Sequence, residues 1–123
     1  MNSSFSRTLT GLVFVVAGLL HFAAPSTFER IMPPYLPRHR ELVYASGAGE
    51  VLGGLGLLMK RTRSVAGIGL VLLLVAVFPA NVQMLLDARE EGEPPWWIAL
   101  LWLRLPLQPA LIAWVWKASR TRD

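Results

Sequence analysis

Residues 65–86 read VAGIGLVLLLVAVFPANVQMLL, and none of these side chains carries a charge. A helix of ~20 apolar residues, rising ~1.5 Å per residue, is what ~30 Å of hydrocarbon requires. The stretch does not alternate with period two, which argues against a barrel strand. A helix also satisfies its own backbone where no water can. One membrane-spanning helix is therefore predicted here, and the rest of the chain is read outward from it.

Three further apolar segments are legible, at about 5–24, 42–59 and 96–116. The fourth opens on Trp96 and Trp97 and closes on Trp114 and Trp116, as aromatic anchors at the two interfaces should. The composition agrees. Of 123 residues 54% are hydrophobic, mean hydropathy is +0.46 and 16% are charged, against about a quarter in a soluble domain. Among the 12 basic and 8 acidic residues, only Glu50 and Arg104 fall deep inside a long apolar segment. Arg7, near the start of the first, is expected to snorkel to the surface. The expectation is an all-α, four-transmembrane-helix bundle forming a single integral membrane domain over residues 1–123. The first segment lacks small residues where a signal peptidase would need them, because His21 and Phe22 stand there, so it is expected to be a retained helix.

The chain has no cysteine, which excludes disulfides, thiolate metal sites and dithiol chemistry by this chain. No Glu-x-x-His pair, catalytic triad or phosphate-binding glycine loop is legible, so catalytic residues are not identified and no metal site is expected. The net charge of +4 and pI near 10.4 do not indicate nucleic acid, since the basic residues flank apolar segments as they do opposite anionic lipid. Four spans put Arg7, Lys60, Arg61, Arg63, Lys117, Arg120 and Arg122 on one side, and Arg30, Arg38, Arg40 and Arg89 on the other. This bias predicts a bacterial-type cytoplasmic (inner) membrane protein with both termini cytoplasmic.

The first connection is more than a link. Pro25 precedes Ser26-Thr27-Phe28-Glu29, a capping-box pattern that starts a short helix with Phe28, Ile31 and Met32 as its apolar side. Pro33 and Pro34 should end it, and a proline-stiffened cover continuing through Pro37 should lie at the outer surface.

Ionisable groups inside a membrane cost about 2.5–3.5 kcal/mol each on insertion scales and tend to mark function. Counted from the outer ends of their helices, Glu50 lies ~13 Å in, Arg104 ~12 Å and Asn81 ~9 Å, with His21 about a turn from its own helix end. Gln108 follows Arg104 by one turn. Ser46, Gly47, Gly53 and Gly54 leave the face around Glu50 almost bare. The expected ligand-binding set is His21, Glu50, Asn81, Arg104 and Gln108, with Glu50 paired to Arg104. Pro79, Pro106 and Pro109 should bend their helices beside it.

Several short motifs, in order, resemble those of DoxX-like membrane proteins. They are Gly18-Leu19-Leu20-His21-Phe22, Pro25-x-x-Phe28, Ile31-Met32-Pro33-Pro34-Tyr35-Leu36-Pro37, Ser46-Gly47-x-x-Glu50-Val51-x-Gly53-Gly54, Phe78-Pro79-Ala80-Asn81 and Arg104-Leu105-Pro106-Leu107-Gln108. The resemblance implies a four-helix bundle shaped like vitamin K epoxide reductase-like proteins. It also implies an association with quinone oxidoreduction, since the family takes its name from a subunit of a thiosulfate:quinone oxidoreductase, while other members are accessory or assembly proteins. The paired cysteines of the reductase-like relatives are missing. The functional expectation is an outer-leaflet polar pocket for a lipophilic small molecule, quinone-like or lipid, that is redox-associated through a partner, since no cofactor is visible in the chain. The alternative is a non-catalytic, chaperone-like subunit of a membrane complex. The expected partners are membrane lipids, a lipophilic ligand, a redox or assembly protein and further copies of the chain.

Overall fold

The computed structural model describes residues 3–30, 32 and 35–121. Five helices follow one another: α1 (Ser3–Ala23), α2 (Pro25–Arg30), α3 (His39–Leu58), α4 (Arg63–Glu90) and α5 (Pro95–Ser119). No strand occurs among the described residues. The four long helices form a ring in which α3 packs between α1 and α4, and α5 closes against both α4 and α1. One end of the ring carries α2 and the α4–α5 link. The other carries the start of α1, the end of α5 and the α3–α4 link. They are called here the α2 end and the terminal end.

Three of the long helices are long and apolar enough to cross a membrane: Ser4–Ala23, Arg63–Glu90 and Pro95–Ser119. The expected fourth, α3, is not among them. Its 20 residues would suffice in length. The shortfall is in composition, because Ser46, Glu50 and glycines 47, 49, 53, 54 and 56 dilute its apolar side chains.

Those glycines explain why α1 and α3 lie so close. Without much hydrophobic drive between helices in lipid, association rests on van der Waals contact, and small residues let backbones approach. Gly18 faces Gly47 and Gly11 faces Gly54, seven residues apart on each of two antiparallel helices. A Cβ added at Gly18 would sit 2.5 Å from the Gly47 carbonyl oxygen, and one at Gly54 would sit 2.5 Å from that of Gly11. On the other side of the ring Gly67 admits Ser119 from α5, and Gly53 admits Leu70 from α4.

Two apolar clusters fill the ring. Near the terminal end Phe14, Leu57, Leu70, Leu74 and Val115 pack together. Near the α2 end Met84, Leu85, Ala88 and Leu101 do so, flanked by Trp97, Ile98 and Leu105. The terminal end is tied by polar contacts that the sequence reading did not foresee. Arg7 Nη1 donates to Thr121 Oγ1 at 3.0 Å, and Arg63 Nη1 donates to the Thr121 carbonyl at 3.0 Å while its Nε reaches the Leu57 carbonyl at 3.2 Å. Both arginines are buried. Arg7 therefore turns into the bundle rather than snorkelling to its surface. Trp114, expected as an interfacial anchor, donates its indole N–H to Ser6 Oγ at 2.8 Å, and Arg120 lies 3.9 Å from the centre of the Trp116 ring.

The capping box expected at Ser26–Glu29 is not made. α2 begins on Pro25, with the Thr27 amide bonded to the Ala24 carbonyl at 3.2 Å. The Glu29 carboxylate instead accepts from Arg40 of α3, at 3.1 Å from Nε and 2.6 Å from Nη2. An arginine fork outcompetes a backbone amide as donor to a carboxylate. These bonds from Arg40 hold the Glu29 carboxyl below its ordinary range. Phe28, placed on the apolar side of α2, stacks on the His21 ring with centroids 3.9 Å apart. Ile31, Pro33 and Pro34, on which the expected helix end and proline cover partly rested, lie outside the described residues.

Candidate functional site

The sequence-predicted residues separate into a touching pair, a polar layer and a clamp. The pair is His21 with Glu50, not Glu50 with Arg104. His21 Nδ1 lies 3.2 Å from Glu50 Oε2 and 2.8 Å from the Ala17 carbonyl. A carbonyl only accepts, so Nδ1 carries a hydrogen directed at Ala17. The carboxylate is thus close to the ring without a hydrogen bond, and its Oε2 is buried with no donor.

Arg104 is exposed along α5 and makes no ion pair among the described residues, although its guanidinium and the Glu50 carboxylate lie close enough to interact electrostatically. Register explains the change from the expected pairing. Gly53 faces Leu70 and Gly56 faces Ala66, so position 50 is level with about position 73 of α4 and Asn81 lies ~12 Å nearer the α2 end at ~1.5 Å per residue. Equal distances from the helix ends do not mean equal depth, because α4 and α5 rise beyond α1 and α3 at that end. The arginine side chain bridges part of this offset.

Asn81 sits between the two apolar clusters. It is only 3% exposed, and its Nδ2 has no hydrogen-bond partner. A buried amide left without a partner costs roughly 1–3 kcal/mol, so this position is poorly explained by packing alone. Gln108, buried nearer the terminal end, has a partner: its Nε2 donates to the Leu74 carbonyl of α4 at 3.0 Å. That carbonyl is one residue from Val75, whose usual helical donor is missing because Pro79 has no N–H. Gln108 thus clamps α5 to α4. Gln83, also polar in this region, bonds Asp87 at 2.8 Å.

A recess of about 380 Å³ opens at the α2 end, where α4 and α5 rise above α1 and α3. Thr27, Arg30 and Met32 line one side, and Asp87, Glu91 and Trp97 line the other. Its apolar wall is Met84 and Leu101. One helical turn below these are Asn81 and Arg104, at i−3 on α4 and i+3 on antiparallel α5. None of His21, Glu50, Asn81 or Arg104 lines this recess itself. A second recess, apolar and about 950 Å³, lies between α3 and α4 on their outer faces. Nothing in the apolar runs themselves marks the first recess. Its signal was the helical spacing of Met84, Asp87, Ala88 and Glu91 beyond the apolar run.

Fold and site together define a small all-helical chain with membrane-spanning character and polar groups sunk between apolar layers. Residues 10–119 match the family described as Domain of unknown function (DUF8561), and the chain belongs to that family. No curated protein and no solved structure matches it. The resemblance to DoxX-like proteins is therefore corrected. Glycine pairs, helix-breaking prolines and isolated buried polar residues answer the general packing needs of membrane helices, so motifs built from them recur without common descent. What that resemblance implied about oxidoreduction falls with it.

Proposed function

We propose that this protein crosses the membrane four times and binds a small lipophilic molecule with a polar head at its α2 end. α3 is read as the fourth span because its glycines face α1 and α4, while Leu52 and Leu55 are exposed on its outer face. The observation that carries the binding reading is the Asn81 amide, buried with its donor unused. The head would enter through the recess, pass the flexible Met84 side chain and accept a hydrogen bond from Asn81, with Arg104 alongside. A quinone carbonyl or a lipid ester fits that donor. Binding is the whole of the proposal: any redox turnover would need a partner to supply electrons.

Mass spectrometry of gently purified protein should find a lipophilic small molecule that Asn81→Leu loses while remaining folded. If parent and variant retain the same molecules, or none, the reading fails. A second reading, as an assembly subunit, is favoured by Arg104, a cation exposed on a membrane-spanning helix without an ion pair among the described residues. An acidic side chain of a partner helix would offset its cost. A stoichiometric partner lost in Arg104→Leu would support it.

The basic residues favour the cytoplasmic membrane with both termini inside. A cysteine at Tyr35, which is well exposed, should react with an impermeant thiol reagent in intact cells. One at the exposed Lys60 should react only after lysis, and the reverse pattern would reject this orientation. Ser119 is unsuitable for such labelling because it is buried against Gly67.

A further inference from the structure

We infer that the apolar groove between α3 and α4 is a binding site for an anionic phospholipid, with an acyl chain in the groove and the phosphate at Lys60 and Arg61. The groove is floored by Gly49, Gly53 and Gly56 of α3 and Gly69 of α4, and Arg61 and Thr62 stand at its terminal end. Gly69 leaves true free space, with nothing within 4 Å of where a Cβ would be. From Gly49 to Met59 the groove runs ~15 Å along α3 at ~1.5 Å per residue. That is half of the ~30 Å hydrocarbon core, the depth of one leaflet.

The charge at its mouth selects the head. The described charged residues near the terminal end are all cations: Arg7, Lys60, Arg61, Arg63, Lys117 and Arg120. Arg63 turns inward to the Leu57 and Thr121 carbonyls, whereas Lys60 and Arg61 are exposed and make no ion pair or hydrogen bond among the described residues. The Thr62 hydroxyl already donates to the Gly56 carbonyl at 2.9 Å, which leaves the phosphate to the two cations. A second copy of the chain is the less suitable occupant. Paired side by side in the same orientation through this face, two copies would bring Lys60 and Arg61 towards their own duplicates, and like charges there repel.

The test is native mass spectrometry of the purified protein titrated with dioleoyl-phosphatidylglycerol or dioleoyl-phosphatidylcholine. The phosphatidylglycerol should be retained over the phosphatidylcholine by about fivefold for each cation engaged. Gly69→Leu, which fills the groove without touching the core, should reduce retention of both lipids. Arg61→Gln should leave the phosphatidylcholine unchanged and lower the phosphatidylglycerol by about fivefold. Equal retention of the two lipids by the parent, or unchanged retention by Gly69→Leu, overturns the proposal. So does a dimer of the parent that Gly69→Leu dissociates, which would make the groove a contact between copies. The outcome is independent of Asn81, so it stands or falls separately from the binding site at the other end.

Discussion

Gly54→Val will deprive α1 of its seat on α3, and little folded protein will be recovered, whereas Gly69→Val will be as stable as the parent. The contrast follows from what each new side chain meets. At Gly54 the first added carbon would lie 2.5 Å from the Gly11 carbonyl oxygen and 2.9 Å from the Val15 amide nitrogen. Both are backbone atoms of a neighbouring helix, so no rotamer change relieves the clash and the helices must separate. Overpacking a well-packed core costs about 1–3 kcal/mol and occasionally more. A valine here also undoes the partnering contact at Gly18–Gly47, because both contacts lie on one rigid antiparallel pair. Gly69 meets nothing within 4 Å and supplies the internal control for changing a glycine in a helix. Size-exclusion profiles of the fluorescently tagged variants would decide it. Equal monodisperse yields of the two would show that the α1–α3 approach does not hold the bundle together.

The second large effect is expected from the partly buried carboxylate of Glu50. His21→Leu and Glu50→Leu should each destabilise the bundle, and the double variant should lose less than their sum, with a coupling of about 1–3 kcal/mol. The two side chains are partly buried and 3.2 Å apart, so removing either leaves the other without its nearest polar neighbour in apolar surroundings. Glu50 and Arg104 should couple more weakly, since they interact without touching. Reversible unfolding in mixed micelles would measure both cycles. If His21 and Glu50 prove additive within about 0.5 kcal/mol, or Arg104 proves the stronger partner, the arrangement around Ala17 is not the one that stabilises the protein.

The sequence made the helices legible and their register illegible. Apolar run length located α1, α4 and α5, and the tryptophans bracketed α5, because span length is dictated by the bilayer. The polar positions were equally visible, since Glu50, Asn81 and Arg104 are conspicuous against their surroundings. Which of them touch depends on how far one helix is displaced along another. That displacement is set by the facing glycines 11 and 54, and 18 and 47, whose pairing appears only when two helices are seen together. The same limit explains the capping box: Ser26 and Glu29 have the right local spacing, but Arg40, eleven residues beyond Glu29, is the better donor. Arg7 and Arg63 gave no signal at all, because a cation near a span's end reads as facing water until its tertiary acceptors are known.

The ring of long helices is also two hairpins in series, α1 with α3 and α4 with α5, joined by the short link at residues 59–62. This connectivity bears on biogenesis. Under the four-span reading proposed above, a helix as polar as α3 would enter lipid poorly by itself, since each ionisable residue at mid-membrane is penalised on insertion scales. Its carboxylate meets His21, and its glycine face meets α1, within the half of the chain that is synthesised first. The first hairpin can therefore leave the insertion machinery as a unit with its costliest groups already covered, before the strongly apolar α4 has emerged from the ribosome.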